Sequence, residues 1–245
     1  MLAAIGAAAM AAFISPAWAG TTLLVGSTPT GVPFTFLDTK TDTIQGMMVD
    51  LVAAIAKDNG LRVTIVPMAF SALVPSLTGG KIDVISAAMS ATPKREKVVD
   101  FTAPVYSYGE GLVVPASDHK TYDSIQDLRG DRVGVEIGTN YYDQMKKSGV
   151  FSAVVGYDSI ADIISDVEAG RIQAGFGDDP ILAYRFAHAA MPRVRLVKEY
   201  HPYVVGPINI AVRKDETGLL AEFNASIAKF KRDGTLKAIL AKWNL

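Results

Sequence analysis

Short apolar runs alternate with stretches of helical periodicity along most of this chain. The apolar runs that predict strands lie at 23–25, 62–66, 82–87, 132–136 and 173–177. Apolar residues three and four apart predict helices at 49–57, 71–77, 159–169 and 219–231, followed by a break at Asp233-Gly234 and a last helical stretch to Trp243. Strands that alternate with helices indicate an α/β fold with mostly parallel sheets.

One step from helix to strand occurs twice, 90 residues apart. Gly80-Lys81-Ile82-Asp83-Val84 and Gly170-Arg171-Ile172-Gln173-Ala174 both follow a predicted helix and lead into a predicted strand. The repeat indicates either one unit built once in each of two lobes or a coincidence, since a strand commonly follows a helix stop. In the first case Ala88-Met89-Ser90 and Asp178-Asp179-Pro180 lie at equivalent strand ends, where open α/β sheets bind ligands.

The first 19 residues differ from the rest of the chain. They carry no charge and end in Ala17-Trp18-Ala19, a small-x-small cleavage pattern preceded by Pro16. A buried helix or a membrane span is the alternative, but the run ends just short of the roughly 20 residues that a span needs. We therefore expect a signal peptide at 1–19, although no Lys or Arg precedes it, and a soluble periplasmic chain that begins near Gly20.

Charge and composition exclude several classes of function. The 245 residues include 24 basic and 25 acidic side chains, for a net charge of −1, which makes nucleic acid an unlikely partner. The chain has no cysteine, so we expect no disulfide, Cys-based metal site or lipid-modified N-terminus. His119, His188 and His201 are far apart and form no HExxH pair, and we predict neither a metal nor another cofactor.

Several motifs follow one another in a specific order. They are Val32-Pro33-Phe34-Thr35-Phe36, Gly46-Met47-Met48-Val49-Asp50-Leu51, Phe70 through Leu77, Met89 through Phe101, Arg132-Val133-Gly134-Val135 with Gly138-Thr139, and Asp178-Asp179-Pro180. In this order, over about 23–243, they resemble the periplasmic solute-binding proteins for polar amino acids, which are the extracellular components of ABC importers. Each motif alone is weak, and their order makes the resemblance specific.

The resemblance implies a periplasmic-binding-protein-like fold of type II, with two α/β lobes joined by a two-segment hinge. It places the first lobe at 20–112 plus 206–245, the second at 116–202, and the hinge at 113–115 and 203–205. Such proteins are expected to close on an amino acid and to present the closed form to an inner-membrane permease. A separate subunit hydrolyses ATP, in keeping with the absence of a G-x-x-x-x-G-K-[ST] loop here. We expect a monomer without enzymatic activity.

A buried amino acid needs a partner for its carboxylate and another for its ammonium group. Arg95 is the predicted carboxylate partner, because a guanidinium can donate two parallel hydrogen bonds; a solvated arginine on a short helix capped by Thr92 is the alternative. Asp178 is the predicted ammonium partner. A turn or cap before Pro180 is its alternative role, and Asp179 fits that role better.

Five further residues complete the predicted head-group site. Ser90 offers a hydroxyl and a backbone N–H, and Gly138-Thr139 opens a predicted helix whose free N–H groups favour anions; helix capping is the alternative for both. By resemblance, the Ala88 carbonyl is a second ammonium partner. Phe70 is expected to form one wall of the pocket, or else to belong to the core.

The sequence gives less information on the ligand side chain. Thr28 and Gly31 stand where relatives that bind basic amino acids often carry an acid and an aromatic ring. Glu136 restores a carboxylate if it faces the ligand, in which case it favours a hydrogen-bond donor or a cation; a surface glutamate is equally compatible. A cyclohexadienyl-dehydratase-like enzyme is the alternative function, with Glu136 as general acid, and a docked sensor role is a third.

Overall fold

The computed structural model describes residues 20–245, so the predicted signal peptide lies outside the described residues. The strands are β1 (Thr22–Ser27), β2 (Thr30–Gly31), β3 (Thr35–Asp38), β4 (Thr43–Gln45), β5 (Arg62–Pro67), β6 (Val84–Met89), β7 (Val99–Phe101), β8 (Tyr106–Pro115), β9 (Arg132–Glu136), β10 (Ala153–Tyr157), β11 (Ala174–Asp178), β12 (Val194–Leu196) and β13 (Val205–Arg213). The α-helices are α1 (Met47–Asp58), α2 (Phe70–Thr78), α3 (Asn140–Ser148), α4 (Ile160–Glu168), α5 (Asp179–His188), α6 (Thr217–Asp233) and α7 (Thr235–Lys242).

The first lobe is built on the strand order β5-β1-β6-β13, in which β1 pairs in parallel with both β5 and β6. Helix α1 covers one face of this sheet. Its buried positions recur every three to four residues, as an amphipathic helix requires, and they are Met47, Met48, Leu51, Val52, Ile55 and Ala56. On the other face, α2 packs Leu73 and Leu77 onto Ile82 and Ile85. The small sheet β2-β3-β4 also belongs to this lobe, and the Thr30 carbonyl in β2 accepts a hydrogen bond from Arg185 of the second lobe.

The second lobe is built on the strand order β10-β9-β11-β8, with β9 parallel to both β10 and β11. Helices α3 and α4 of this lobe begin at residues whose hydroxyls accept from free backbone N–H groups. The Thr139 hydroxyl accepts from Tyr142 N in α3, and the Ser159 hydroxyl accepts from Asp162 N in α4. Helix α4 then buries Ile160, which belongs to the core of this lobe.

Two strands cross between the lobes. β8 pairs with β13 from Tyr106 to Gly109 and with β11 from Glu110 to Val113, so it changes partner between Gly109 and Glu110. β13 leaves β8 after Ile208 and continues against β6 and β7. The predicted two-lobe α/β architecture is confirmed, with parallel strands inside each lobe and antiparallel crossing strands. The residues that flex during closure stay a prediction.

A buried carboxylate holds the second crossing segment in place. Glu110 is fully buried and accepts hydrogen bonds from the Tyr200 hydroxyl (2.7 Å), Tyr203 N (2.6 Å) and Val204 N (2.9 Å). Burial raises the pKa of Glu110, and the three donors partly oppose that rise. The connection between the lobes is therefore a hydrogen-bonded element and not a free linker. Across residues 20–245, no helix is both long and apolar enough to cross a membrane.

Candidate functional site

A cavity of about 40 Å³ lies between the two lobes, at the carboxyl ends of β6, β9 and β11. Both lobes contribute to its wall. The first lobe provides Thr28, Thr30, Gly31, Phe34, Thr35, Phe70, Ala87, Ala88, Ser90, Arg95 and Tyr108, and the second provides Glu136, Thr139, Asn140, Tyr141, Ile160, Asp178 and Ile181. Seven of the eight predicted site residues thus line one cavity. The eighth residue, Gly138, does not line the cavity, but its carbonyl accepts a hydrogen bond from Arg95, which does.

Arg95 is buried at the centre of this site, 9% exposed. Its Nη1 donates to the Ser90 carbonyl in the same lobe, and its Nη2 donates to the Gly138 carbonyl of the other lobe at 2.8 Å. The guanidinium carbon lies 5.5 Å from the centre of the Phe70 ring. Burial lowers the pKa of Arg95 to about 10, which leaves it cationic at neutral pH. A guanidinium has five N–H donors, so donors remain for an anion.

Asp178, the last residue of β11, lines the same cavity as Arg95 from the second lobe. Burial raises the pKa of Asp178 to about 6, and hydrogen bonds from the Tyr108 and Tyr141 hydroxyls oppose the rise. Its neighbour Asp179 begins α5 and is exposed, with its carboxylate away from the cavity. The ambiguity between the two aspartates is resolved in favour of Asp178 as the residue in the cleft.

The remaining predicted head-group residues lie around these two charges. Ala88 has a positive φ of 53°, which is uncommon for a residue with a Cβ, and its carbonyl lies 3.5 Å from the Tyr108 hydroxyl. Thr139 caps α3 and also donates to the Glu136 carbonyl at 2.7 Å. Both of its predicted roles, as cap and as cavity wall, are therefore compatible. Ser90 lines the cavity beside the Arg95 segment.

Glu136 also reaches the cavity, from the end of β9. Burial raises its pKa to about 8, and the nearby negative charges of Asp178 and Asp158 add to the rise. Its carboxyl makes no hydrogen bond to residues 20–245, whereas its backbone carbonyl accepts from Thr139. The alternative of a strand-end glutamate on the open surface is therefore wrong.

Several cavity residues were not predicted from the sequence. Tyr108, Asn140 and Tyr141 provide polar groups, while Ile160 and Ile181 provide apolar wall. Asn140 and Tyr141 follow Gly138-Thr139 directly, so the helix start could have indicated them. Tyr108 reaches the cavity only because β8 crosses between the lobes, and its local sequence gives no such signal.

The sequence profile of bacterial extracellular solute-binding proteins, family 3, matches residues 23–245. That match covers nearly all of the described chain. The chain belongs to this family. The predicted resemblance to solute-binding proteins of ABC importers is confirmed.

Members of the family resemble this chain along nearly its whole length. The ABC transporter arginine-binding protein 1 of Escherichia coli K12 is 32% identical over 97% of this chain and 96% of its own. Two solved structures of an ancestral arginine-binding protein, bound to arginine and to glutamine, are 35% and 36% identical and both have a TM-score of 0.81. Each of the two alignments covers 91% of this chain and 97% of the chain in the solved structure. The predicted type II two-lobe fold is confirmed.

Proposed function

We propose that this family 3 protein captures a free amino acid between its lobes and delivers it to an ABC transporter permease. The observation that carries the proposal is the pair of opposite charges in one cavity. Arg95 comes from the first lobe and is buried, and Asp178 comes from the second lobe and is half-buried. An α-amino acid carries a carboxylate and an ammonium on the same carbon, and this pair complements both.

The head group is held as follows. The ligand carboxylate accepts from the free N–H groups of Arg95 and from N–H groups at the start of α3, which Thr139 caps. The ligand ammonium donates to the Asp178 carboxylate and to the Ala88 carbonyl, which the positive φ of Ala88 directs at the site. Ser90 adds a hydroxyl, and Phe70 stacks beside the guanidinium.

Binding requires the lobes to open and close. A cavity of about 40 Å³ holds only a few water molecules, so an amino acid enters when the lobes are apart. Closure then brings Asp178 to the ammonium while Arg95 donates to Gly138 across the cleft. A ligand that contacts both lobes stabilises the closed form, and that form is the signal for a permease with its ATPase subunit.

The names of the relatives support transport and a location outside the cytoplasm. The family is described as extracellular, and the relatives are named as binding proteins, one of them as part of an ABC transporter. These names favour binding over the dehydratase alternative. That alternative needs Glu136 to act as a general acid on a bound substrate. We propose that residues 1–19 are a signal peptide that directs export of the chain.

A thermal-shift panel of the common amino acids tests the proposal. A ligand at 100 times its Kd stabilises the protein by about 2.7 kcal/mol, a shift of several degrees. Arg95→Ala should abolish that shift, and Arg95→Lys should greatly weaken it, because an ammonium cannot donate the same two parallel bonds. Lys97→Ala, an exposed cation on the same segment, is the matched control.

The panel can refute the proposal in two ways. If no amino acid raises the melting temperature of the wild-type protein, the proposed ligand class is wrong. If Arg95→Ala retains the wild-type affinity, the carboxylate is bound elsewhere and the assignment of Arg95 fails.

A further inference from the structure

The backbones of the two lobes meet at Gly138, which lies between β9 and α3 at the exposed edge of the cleft. A Cβ built on Gly138 would lie 3.0 Å from the Cα and 3.3 Å from the Cβ of Ser71, the second residue of α2 in the first lobe. Carbon atoms in favourable contact lie about 3.5–4.0 Å apart, so the closed arrangement leaves no room for a side chain at this position.

Further contacts across the cleft are made by the ends of side chains, which can adapt. Lys94 Nζ lies 3.2 Å from the Asp143 carboxylate, and Arg185 Nη2 donates to the Thr30 carbonyl. At Gly138 the neighbour is instead the backbone of α2, and two fully buried leucines fix that helix in the core of the first lobe. The contact at Gly138 is therefore rigid where these two are adaptable.

Gly138 is also connected to the proposed carboxylate partner. Its carbonyl accepts a hydrogen bond of 2.8 Å from Arg95 Nη2, and the next residue, Thr139, caps α3 and lines the cavity. If the lobes separate at Gly138 by a few tenths of an ångström, the start of α3 moves away from Arg95 and this hydrogen bond lengthens. The distance between Gly138 and Ser71 thus determines whether both lobes can hold the ligand carboxylate together.

We infer that Gly138 limits how far the two lobes close, and that its missing side chain is what allows them to close completely around the ligand. This inference rests on the proposed function, because it assumes that closure retains an amino acid. A Cβ at position 138 holds the lobes apart in the closed form and leaves the open form unchanged. Ligand association takes place in the open form and should keep its rate, whereas dissociation should become faster.

An alanine substitution isolates this steric effect. Gly138→Ala retains the backbone N–H and carbonyl, so the groups that serve a carboxylate and Arg95 are still present. The φ angle of Gly138 is +84°, which is unfavourable for alanine, and Gly130 has nearly the same φ of +85°. A Cβ on Gly130 meets no atom within 4 Å. Gly130→Ala is therefore the matched control, since it introduces the same backbone strain without a contact between the lobes.

Stopped-flow kinetics with the common L-amino acid that gives the largest thermal shift measure both rate constants. We expect Gly138→Ala to release this ligand at least tenfold faster than wild type, with an association rate constant within twofold of wild type. Gly130→Ala should keep both constants within twofold. Because asparagine tolerates a positive φ better than alanine, Gly138→Asn and Gly130→Asn repeat the comparison if an alanine variant does not fold.

A fluorescence measurement of closure provides a second readout. The chain has no cysteine, so Lys40→Cys in the first lobe and Lys147→Cys in the second, both at exposed positions, can carry a donor and an acceptor dye. Single-molecule energy transfer between the dyes then gives the fraction of closed molecules with and without the amino acid. This fraction should fall in Gly138→Ala and match wild type in Gly130→Ala.

Wild-type release from Gly138→Ala overturns the inference, and so does equally fast release from Gly130→Ala, since strain within one lobe then explains the effect. Slower association with unchanged release also overturns it, because Gly138 then belongs to the binding surface of the open form. Failure of every amino acid to bind wild type refutes the proposed function itself. The closed fraction measured without ligand then decides the inference: a lower fraction in Gly138→Ala than in Gly130→Ala supports it, and equal fractions overturn it.

Discussion

The stability of the ligand-free protein should depend on pH through Glu136, and replacing Glu136 by Gln should remove that dependence. The pKa of Glu136 is about 8 in the folded protein against an ordinary value of 4.5. Between these two pH values the unfolded chain has lost the proton that the folded protein keeps. The free energy of unfolding therefore falls as the pH rises through this window, and the contribution is absent below about 4.5.

The size of the effect follows from the same two values. Each pH unit inside the window lowers the free energy of unfolding by about 1.4 kcal/mol. Because the window opens gradually near 4.5, the change between pH 5 and pH 7 is about 2 kcal/mol. Glutamine has a similar shape and no charge to lose. Relative to wild type, the Glu136→Gln variant should gain about 2 kcal/mol of stability over that pH range.

Urea unfolding of both proteins without ligand, followed by circular dichroism from pH 5 to pH 8, measures this difference directly. The pKa of Asp178 is raised to about 6 by burial, and Asp178 is present in both proteins, so its contribution largely cancels in the comparison. Glu199→Gln, at an exposed glutamate that does not line the cavity, is the matched control and should follow the wild-type curve. Parallel curves for wild type and Glu136→Gln across pH 5 to 7 would show that Glu136 is ionised in the folded protein, and the reasoning would be refuted.

Three further substitutions have defined outcomes. Glu110→Ala should lower the free energy of unfolding by about 3 kcal/mol in a urea titration, because two backbone N–H groups and a tyrosine hydroxyl lose their acceptor. Arg185→Ala removes a 3.1 Å hydrogen bond across the cleft from Nη2 to the Thr30 carbonyl, and stopped-flow dissociation of the ligand should become roughly fivefold faster, or about 1 kcal/mol. Gly46→Ala should destabilise the fold by about 3 kcal/mol or more, since φ is +134° and the new Cβ would lie 2.1 Å from the Phe34 carbonyl oxygen; differential scanning calorimetry measures this loss.

Each of these has a matched control. Glu110→Gln retains an acceptor oxygen and should lose less stability than the alanine variant. Arg185→Lys keeps the charge, so a release rate as fast as that of Arg185→Ala would identify the guanidinium geometry as the important feature. Gly206→Ala places its Cβ where no atom lies within 4 Å and should leave stability nearly unchanged. Equal stability of Gly46→Ala and wild type would contradict the backbone geometry at α1.

Helices with a marked apolar face were predictable from the sequence. The stretches 49–57 and 159–169 correspond to α1 and α4 within one or two residues at each end. The hydrophobic pattern did not predict the crossing strands β8 and β13, for which the resemblance implied a two-segment hinge. In β8, Gly109-Glu110-Gly111 has the composition of a turn, but the structure uses these glycines for close approach. A Cβ on Gly109 would lie 2.4 Å from Pro202, and one on Gly111 would lie 3.0 Å from Asp179.

Part of the candidate site could be predicted from the positions of the strand ends in the sequence. Asp178 could be predicted because it lies at the carboxyl end of a strand that faces the cleft. Arg95 was predicted from the motif that resembles the family and from the fit of a guanidinium to a carboxylate. The groups that set the electrostatics around Asp178 were not predictable. Tyr108 comes from the crossing strand, and its hydroxyl meets Asp178 only through the packing of two lobes. The burial of Glu136 likewise depends on closure, which a local sequence pattern does not encode.

The path of the chain through the two lobes also determines the order in which they can be completed as it is synthesised. The second lobe is one uninterrupted stretch, so all its strands are available before β13 has been made. The first lobe still lacks β13, which pairs with β6 and β7, and α7, whose neighbour Trp243 donates to Asp50 in α1. The core around the N-terminal strands and α1 is therefore complete only after the last residues of the chain have been synthesised. A nascent or truncated chain that ends before α6 lacks the two helices that pack against α1 beside the sheet, so part of the apolar surface of α1 stays exposed and prone to aggregation.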